Sequence, residues 1–352
     1  MNVGRLSSLL SVLMVLTVSC SDSRAEPSDQ SPQRKKQEVN RLIDDAAADG
    51  FSGAVLVVDR GTRLASKGYG LANRADGLAN TVSTAFDVGS IMKVMTATAI
   101  YALEEAGALR VSDSLADLLP DVPPDKAATT LRQVVQHRAG FAEYHDTTGD
   151  FESLTRAEAR ARILGQELLF EPGSDEAYSN SGYTLLADVV EAASGESFTD
   201  YVRHALFLPA GMNQSGFYSD ELWKTVDTAV GYDASTFGAN DPAAWPLTWA
   251  LIGNGGLVST VVDLERWSTA LWDGRVLGPD ALEALRSDCF ASEAATLGGE
   301  TVYSAAGAGD YGLAGVMIEV PSVQTRILIT TNSAEVFAIE ELAVDLATLL
   351  LE

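Results

Sequence analysis

The segment Asp87-Val88-Gly89-Ser90-Ile91-Met92-Lys93-Val94 carries the residue types of an acyl-transfer site. Ser90 follows a glycine and opens a run with helical periodicity, which places it at or near a helix N-terminus. Lys93 then lies on the same helix face, one turn away. A hydroxyl at that position meets unpaired backbone N–H groups and the positive end of the helix dipole, and both favour a developing oxyanion. The lysine is flanked by Ile91, Met92, Val94 and Met95. Burial among such neighbours depresses an amine's pKa, the condition for it to act as a general base. Alone, the pair is weak evidence, because a capping serine followed by a solvated helix lysine has the same spacing.

A second cluster, Tyr178-Ser179-Asn180, follows Glu171-Pro172-Gly173 and precedes a helical run. Tyr178 and Asn180 alternate around Ser179, so in an extended loop both point to one side. A tyrosine hydroxyl beside a lysine can relay a proton, and an asparagine amide can bind a lysine and a substrate carbonyl. A core-packed tyrosine beside a helix-capping polar cluster fits the same residues. The chain has no G-x-S-x-G elbow, no H-E-x-x-H, no Walker loop and no G-x-G-x-x-G after a strand. Residues 253–256 (GNGG) read as a tight turn.

The elements that must position these residues have a clear order. Residues 53–59 and 63–69 read as a β-hairpin turning at Gly61-Thr62, preceded by a helix over 38–48. Near the other end, 312–320 and 325–331 are strand-like and 335–351 is helical. Between them the pattern is mainly helical, over 90–105, 131–137, 156–164, 183–193, 200–208, 264–273 and 279–287. This predicts an α+β fold: an antiparallel sheet built from both chain ends and flanked by helices, with an inserted, mainly helical lobe. A cleft between sheet and lobe is the place for chemistry.

Composition narrows the function classes. The 352 residues include 49 acidic and 24 basic ones, a net charge of -25, which disfavours nucleic acid and anionic lipid as partners. Three histidines (His137, His145, His204) and two cysteines (Cys20, Cys289) argue against a multi-histidine or thiolate metal site. His137, at a helix end, reads as structural; His145, in a loop before the cleft, can face substrate; His204 reads as surface. Cys289 reads as a buried structural thiol. Residues 1–20 form an export signal, with Arg5 before a short apolar core. Cys20 after Ser19 suits a lipoprotein signal, although Thr17 stands where leucine is usual; plain secretion with a cut near Ala25 stays open. Residues 21–36 read as a polar linker and 37–352 as one catalytic unit.

Taken together and in this order, these segments resemble the serine β-lactamase and penicillin-binding protein superfamily, in its class C-like branch of esterases and D-peptidases. The resemblance covers about residues 38–350. It includes 130–141 (TLRQVVQHRAGF), 170–195 with its PG–YxN–SG block, 206–212 (LFLPAGM) and 254–267 (NGGLVSTVVDLERW). It implies that Ser90 is the acylated nucleophile, Lys93 its base and Tyr178 the second proton-transfer group, with Asn180 positioning substrate. The superfamily's third motif, Lys or His followed by x-Gly on the strand edging the cleft, falls within 303–311, where the charged position is Ala305. Gly307 is retained, and the Ala308 N–H is expected to complete an oxyanion hole with the Ser90 N–H. Without the cation, carboxylate recognition weakens and neutral substrates gain.

The resulting expectation is a serine hydrolase without metal or organic cofactor. Its substrate is a small ester, amide or peptide: carboxylesterase first, D-amino-acid peptidase second, β-lactamase third. The alternative is an inactive protein of the same fold that binds peptidoglycan fragments or another partner. The enzyme is expected to be secreted or periplasmic, touching a membrane only through a lipid at Cys20. The sequence leaves the oligomeric state open.

Overall fold

A computed structural model describes residues 32–144, 149–232, 240–290, 294–308, 311–333 and 336–352. The expected export signal, Cys20, Ala25 and His145 lie outside the described residues. Helix α1 (Pro32–Ala48) opens the fold. It begins earlier than expected, so residues 32–36 are helical where composition reads as linker. Lys35 explains part of this: its ammonium donates to the Leu350 carbonyl, 2.9 Å, and lies 3.8 Å from Asp59.

The main sheet has six strands: β1 (Gly53–Asp59), β2 (Thr62–Tyr69), β3 (Ala295–Leu297), β4 (Glu300–Ala308), β5 (Ala314–Val320) and β6 (Thr325–Thr331). Their spatial order is β2-β1-β6-β5-β4-β3, and every neighbouring pair is antiparallel. The first strand pairs with the last, Gly53 opposite Thr331, so the two ends of the chain share one sheet as the sequence predicts. Strand β1 is almost wholly apolar because both its faces are covered. Val55 and Val57 pack toward α1 and the C-terminal helix α9 (Val336–Leu351), while Leu56 and Val58 pack toward the helical lobe. Strand β4 is marked in the sequence only through the resemblance and not by its own pattern: its Ser304, Ala305, Ala306 and Gly307 are too small and too little alternating to mark a strand.

The lobe is built around α2 (Met92–Glu105), α3 (Leu131–Val135), α4 (Arg156–Gly165), α5 (Asn180–Ser194), α6 (Phe198–Val202), α7 (Val261–Trp272) and α8 (Pro279–Leu285). Most residues of α2 are buried, Lys93 among them, which marks it as the lobe's central helix. Its expected first turn, at Ser90, is a 3₁₀ turn over Gly89–Ile91. The Ile91 N–H donates to Val88 O, 3.2 Å, an i to i+3 bond, and Gly89 has φ +51°. A small sheet holds the approach to that turn: Phe86–Asp87 pairs with Leu257–Ser259, which pairs with Gly216–Phe217.

Candidate active site

Ser90 sits half-exposed at the start of α2, where the lobe meets β4. Asp87 fixes the turn beneath it. Its carboxylate accepts from the Gly89 N–H at 2.9 Å and from the Tyr218 hydroxyl at 2.7 Å, and burial pushes its pKa up to about 6. Lys93 is 5% exposed, with Nζ 3.0 Å from Ser90 Oγ and donating to Asn254 O at 2.8 Å. Burial pulls the Lys93 pKa down to about 7, against the opposing charges of Glu143 and Asp150. The Tyr178 hydroxyl donates to Ser90 Oγ at 2.6 Å. Two groups capable of proton transfer therefore meet one hydroxyl, and Nζ also lies 4.7 Å from the centroid of the Tyr178 ring.

Around Tyr178 the residues divide between capping α5 and reaching the Ser90 hydroxyl. Ser179 is the N-cap of α5, its Oγ accepting from the Gly182 N–H at 3.1 Å, while Tyr178, one residue earlier, reaches Ser90. Asn180 takes a different direction from the one alternation suggests, because it is already the first residue of α5. Its backbone N–H donates to Glu143 Oε1 at 2.6 Å and its side-chain amide to Glu143 Oε2 at 3.0 Å.

The strand side of the cleft is made of backbone. A Cβ added to Gly307 would overlap Val88 O and Ser90 N, so only glycine permits this approach of β4 to the Ser90 turn. A Cβ on Gly89 would come within 2.7 Å of Ala308 N, which places the Ala308 N–H against the same turn. Ala305 faces the lobe and lines a small cavity of about 20 Å³ with Val94, Trp267, Tyr303, Met317 and Glu319. Arg326, on β6, is 9% exposed. It pairs with Glu319 at 3.6 Å and hydrogen-bonds Thr269 beneath α7. Along β6 it lies four residues from Thr330, whose register partner Gly315 packs on Val88 and Ile91, or roughly 13 Å away.

Several contributors were missed in the sequence. The 253–256 turn is more than a turn: Asn254 O holds Lys93, and Gly253 O accepts from Thr96 Oγ1 at 2.7 Å. Glu143 had no motif to mark it. His204 is at the surface near Glu196, as expected, and His137, which the sequence reads as structural, stacks on Tyr178. Cys289 is half-buried where a buried thiol was expected, because it sits on a wide helical turn over Arg286–Phe290 at the lobe's edge.

A sequence model described as "Beta-lactamase" matches residues 39–323. The chain belongs to the β-lactamase family. Among curated relatives of this β-lactamase-family protein is a putative penicillin-binding protein, PbpX, of Bacillus subtilis. It is 30% identical over 274 residues, covering 76% of this chain and 68% of the relative. Teichoic acid D-alanine hydrolase of Staphylococcus aureus is 24% identical, over 71% of this chain and 60% of its own. The chain thus spans less than two thirds of that relative. In structure it is similar to an octameric penicillin-binding protein homologue from Pyrococcus abyssi, with TM-score 0.77 and 23% identity, covering 90% of this chain and 77% of that one. The D-amino acid amidase of Ochrobactrum anthropi SV3 superposes with TM-score 0.74 and 20% identity, over 90% of this chain and 98% of the amidase. These likenesses bear out the superfamily and the fold read from the sequence.

Proposed function

We propose that this protein is a serine hydrolase that forms an acyl-enzyme on Ser90, acting on neutral esters first, D-aminoacyl amides or peptides second and β-lactams third. One observation carries the reading: Lys93 Nζ and the Tyr178 hydroxyl both lie within hydrogen-bond reach of Ser90 Oγ, at 3.0 and 2.6 Å. Neutral Lys93 takes the Oγ proton as Oγ bonds to the substrate carbonyl carbon. The Ser90 and Ala308 N–H groups receive the oxyanion. As the carbon–heteroatom bond breaks, the proton passes through Tyr178 to the leaving group, and water then releases the acid by the reverse relay. In this reading Asn180, steadied by Glu143, orients the substrate carbonyl. The methyl at Ala305 supplies no charge for a substrate carboxylate, which supports placing esters first; the likeness to a D-amino acid amidase and a D-alanine hydrolase supports the second rank.

The test is covalent labelling. A fluorophosphonate should modify the folded protein once, with the label mapped to Ser90. A folded protein that takes up no label, or takes it up elsewhere, would sink the reading in favour of a non-catalytic binder. We also propose export, with any membrane attachment made through a lipid on Cys20. A Cys20→Ser variant that moves from the membrane to the soluble fraction supports the lipid, and an unchanged soluble protein supports plain secretion.

A further inference from the structure

We propose that His137 is the positioning residue that holds the Tyr178 hydroxyl on Ser90, acting through Tyr178 and touching neither nucleophile nor substrate itself. This rests on the proton-relay reading above and adds to it a residue forty-one positions upstream of the tyrosine. Three contacts carry the inference, and together they leave Tyr178 little freedom. The His137 carbonyl accepts from the Ala177 N–H at 3.0 Å, fixing the backbone before Tyr178. Its Nδ1 accepts from the Ser179 N–H at 3.1 Å, fixing the backbone after it. The imidazole stacks on the Tyr178 ring, centroids 4.7 Å apart and planes 27° from parallel, fixing the ring itself. The other neighbour is Tyr183, 4.9 Å away, whose hydroxyl is tied to Val135 O at 2.9 Å, so the imidazole is packed against a fixed ring.

The backbone of His137 argues that the side chain is needed. Its φ is +57°, a left-handed conformation that costs a non-glycine residue free energy and that glycine adopts freely. Gly140, three residues on, meets the same requirement with glycine at φ +74°. A histidine in such a position is explained by what its ring does. Because Nδ1 accepts, the neutral ring carries its proton on Nε2. Burial, reinforced by the charge of Lys93, holds the imidazole pKa down at about 3, so the acceptor survives across the range in which Lys93 titrates.

The experiment exploits leaving groups. A p-nitrophenolate departs as the anion, whereas an alkoxide or an amine needs the proton that Tyr178 delivers. His137→Gly keeps the left-handed backbone but removes the acceptor and the stacking ring. It should lower kcat/KM, which reports acylation and not the later hydrolysis of the acyl-enzyme, for ethyl esters and amides at least about ten-fold more than for p-nitrophenyl esters. His137→Asn retains an acceptor and a tolerance for positive φ, and should fall between His137→Gly and wild type. Equal losses on both substrate types in folded protein would reduce His137 to a structural residue. Tyr178→Phe tests the relay separately: without leaving-group selectivity in that variant, the proton-delivery reading fails. The positioning claim is then decided by the crystal structure of His137→Gly. Tyr178 displaced from Ser90 supports it, and Tyr178 in place overturns it.

Discussion

The two walls of the Ser90 cleft are built on opposite principles. On the lobe wall each of three residues is held at two points: Lys93 by Ser90 and Asn254, Tyr178 by Ser90 and His137, Asn180 by Glu143 through both its backbone N–H and its amide. On the sheet wall the work falls to backbone, with Gly307 and Ala308 against the Ser90 turn and a methyl at Ala305. Proton transfer fails when a distance grows by an ångström, so the groups that move protons must be held from several sides. Recognition of a distant substrate group rests on one side chain projecting from a strand, and that side chain can change while the strand stays. Under the proposed function, the comparison implies that acylation and substrate choice are separable in this fold.

The largest effects should come from the lobe wall. Ser90→Ala should abolish hydrolysis of a p-nitrophenyl ester, by at least about 10⁴-fold, with thermal unfolding unchanged. Undiminished turnover would remove the nucleophile from this wall. Lys93→Arg should be nearly as damaging as Lys93→Ala, since guanidinium does not deprotonate. An active arginine variant would make Lys93 an electrostatic residue.

The sheet wall should break next. Gly307→Ala places a methyl on Val88 O and Ser90 N, and should cost about 10²-fold in kcat through the displaced oxyanion donors. Full activity would show that β4 does not form the oxyanion site. A smaller effect sharpens the contrast. Wild type should favour neutral short-chain esters over β-lactams and D-Ala-D-Ala peptides by at least about ten-fold in kcat/KM. The basis is the missing charge-assisted hydrogen bond to the carboxylate, about 1.5–3 kcal/mol. Ala305→Lys and Ala305→His should narrow that gap while leaving Ser90 labelling intact. A wild type that prefers the anion would mean that another group binds it.

The smallest effect is a displacement in pH. Lys93 must be deprotonated to act as base, so kcat/KM should rise with pH through an acid limb near 7. The charge of Glu143 favours the protonated amine. Glu143→Gln should therefore move that limb to lower pH, read from the pH profile of a neutral ester. A limb that stays in place would confine Glu143 to orienting Asn180.

Much of the fold was legible because its signals are local. Strand β1 is a nearly continuous apolar run, β6 is centred on Ile327-Leu328-Ile329, and α2 is a long, mostly apolar helical stretch with Lys93 near its start and Glu104 and Glu105 at its end, so composition within each window specifies its class. Strand β4 showed only through the resemblance, because its centre is small and glycine-containing to admit the Ser90 turn, and the same requirement erases the period-two pattern. The start of α1 escaped because its first turn is polar, and it is held by Lys35 reaching Leu350, a partner 315 residues away.

The sequence by itself determined the pairing of Ser90 with Lys93, since helical geometry places residues three apart on one face whatever surrounds them. It also determined the loss of charge at Ala305, which is a matter of residue type. Only the tertiary structure decided the rest of the site. Tyr178 comes to Ser90 across 88 residues and Asn254 to Lys93 across 161, distances over which no periodicity carries information. It also turned Asn180 toward Glu143, because α5 begins at that residue and helical backbone replaces the alternation of an extended loop. The lowered pKa of Lys93 belongs to both levels: its apolar neighbours are written in the chain, but desolvation of its ammonium exists only once β4, α5 and the 253–256 turn have closed around α2.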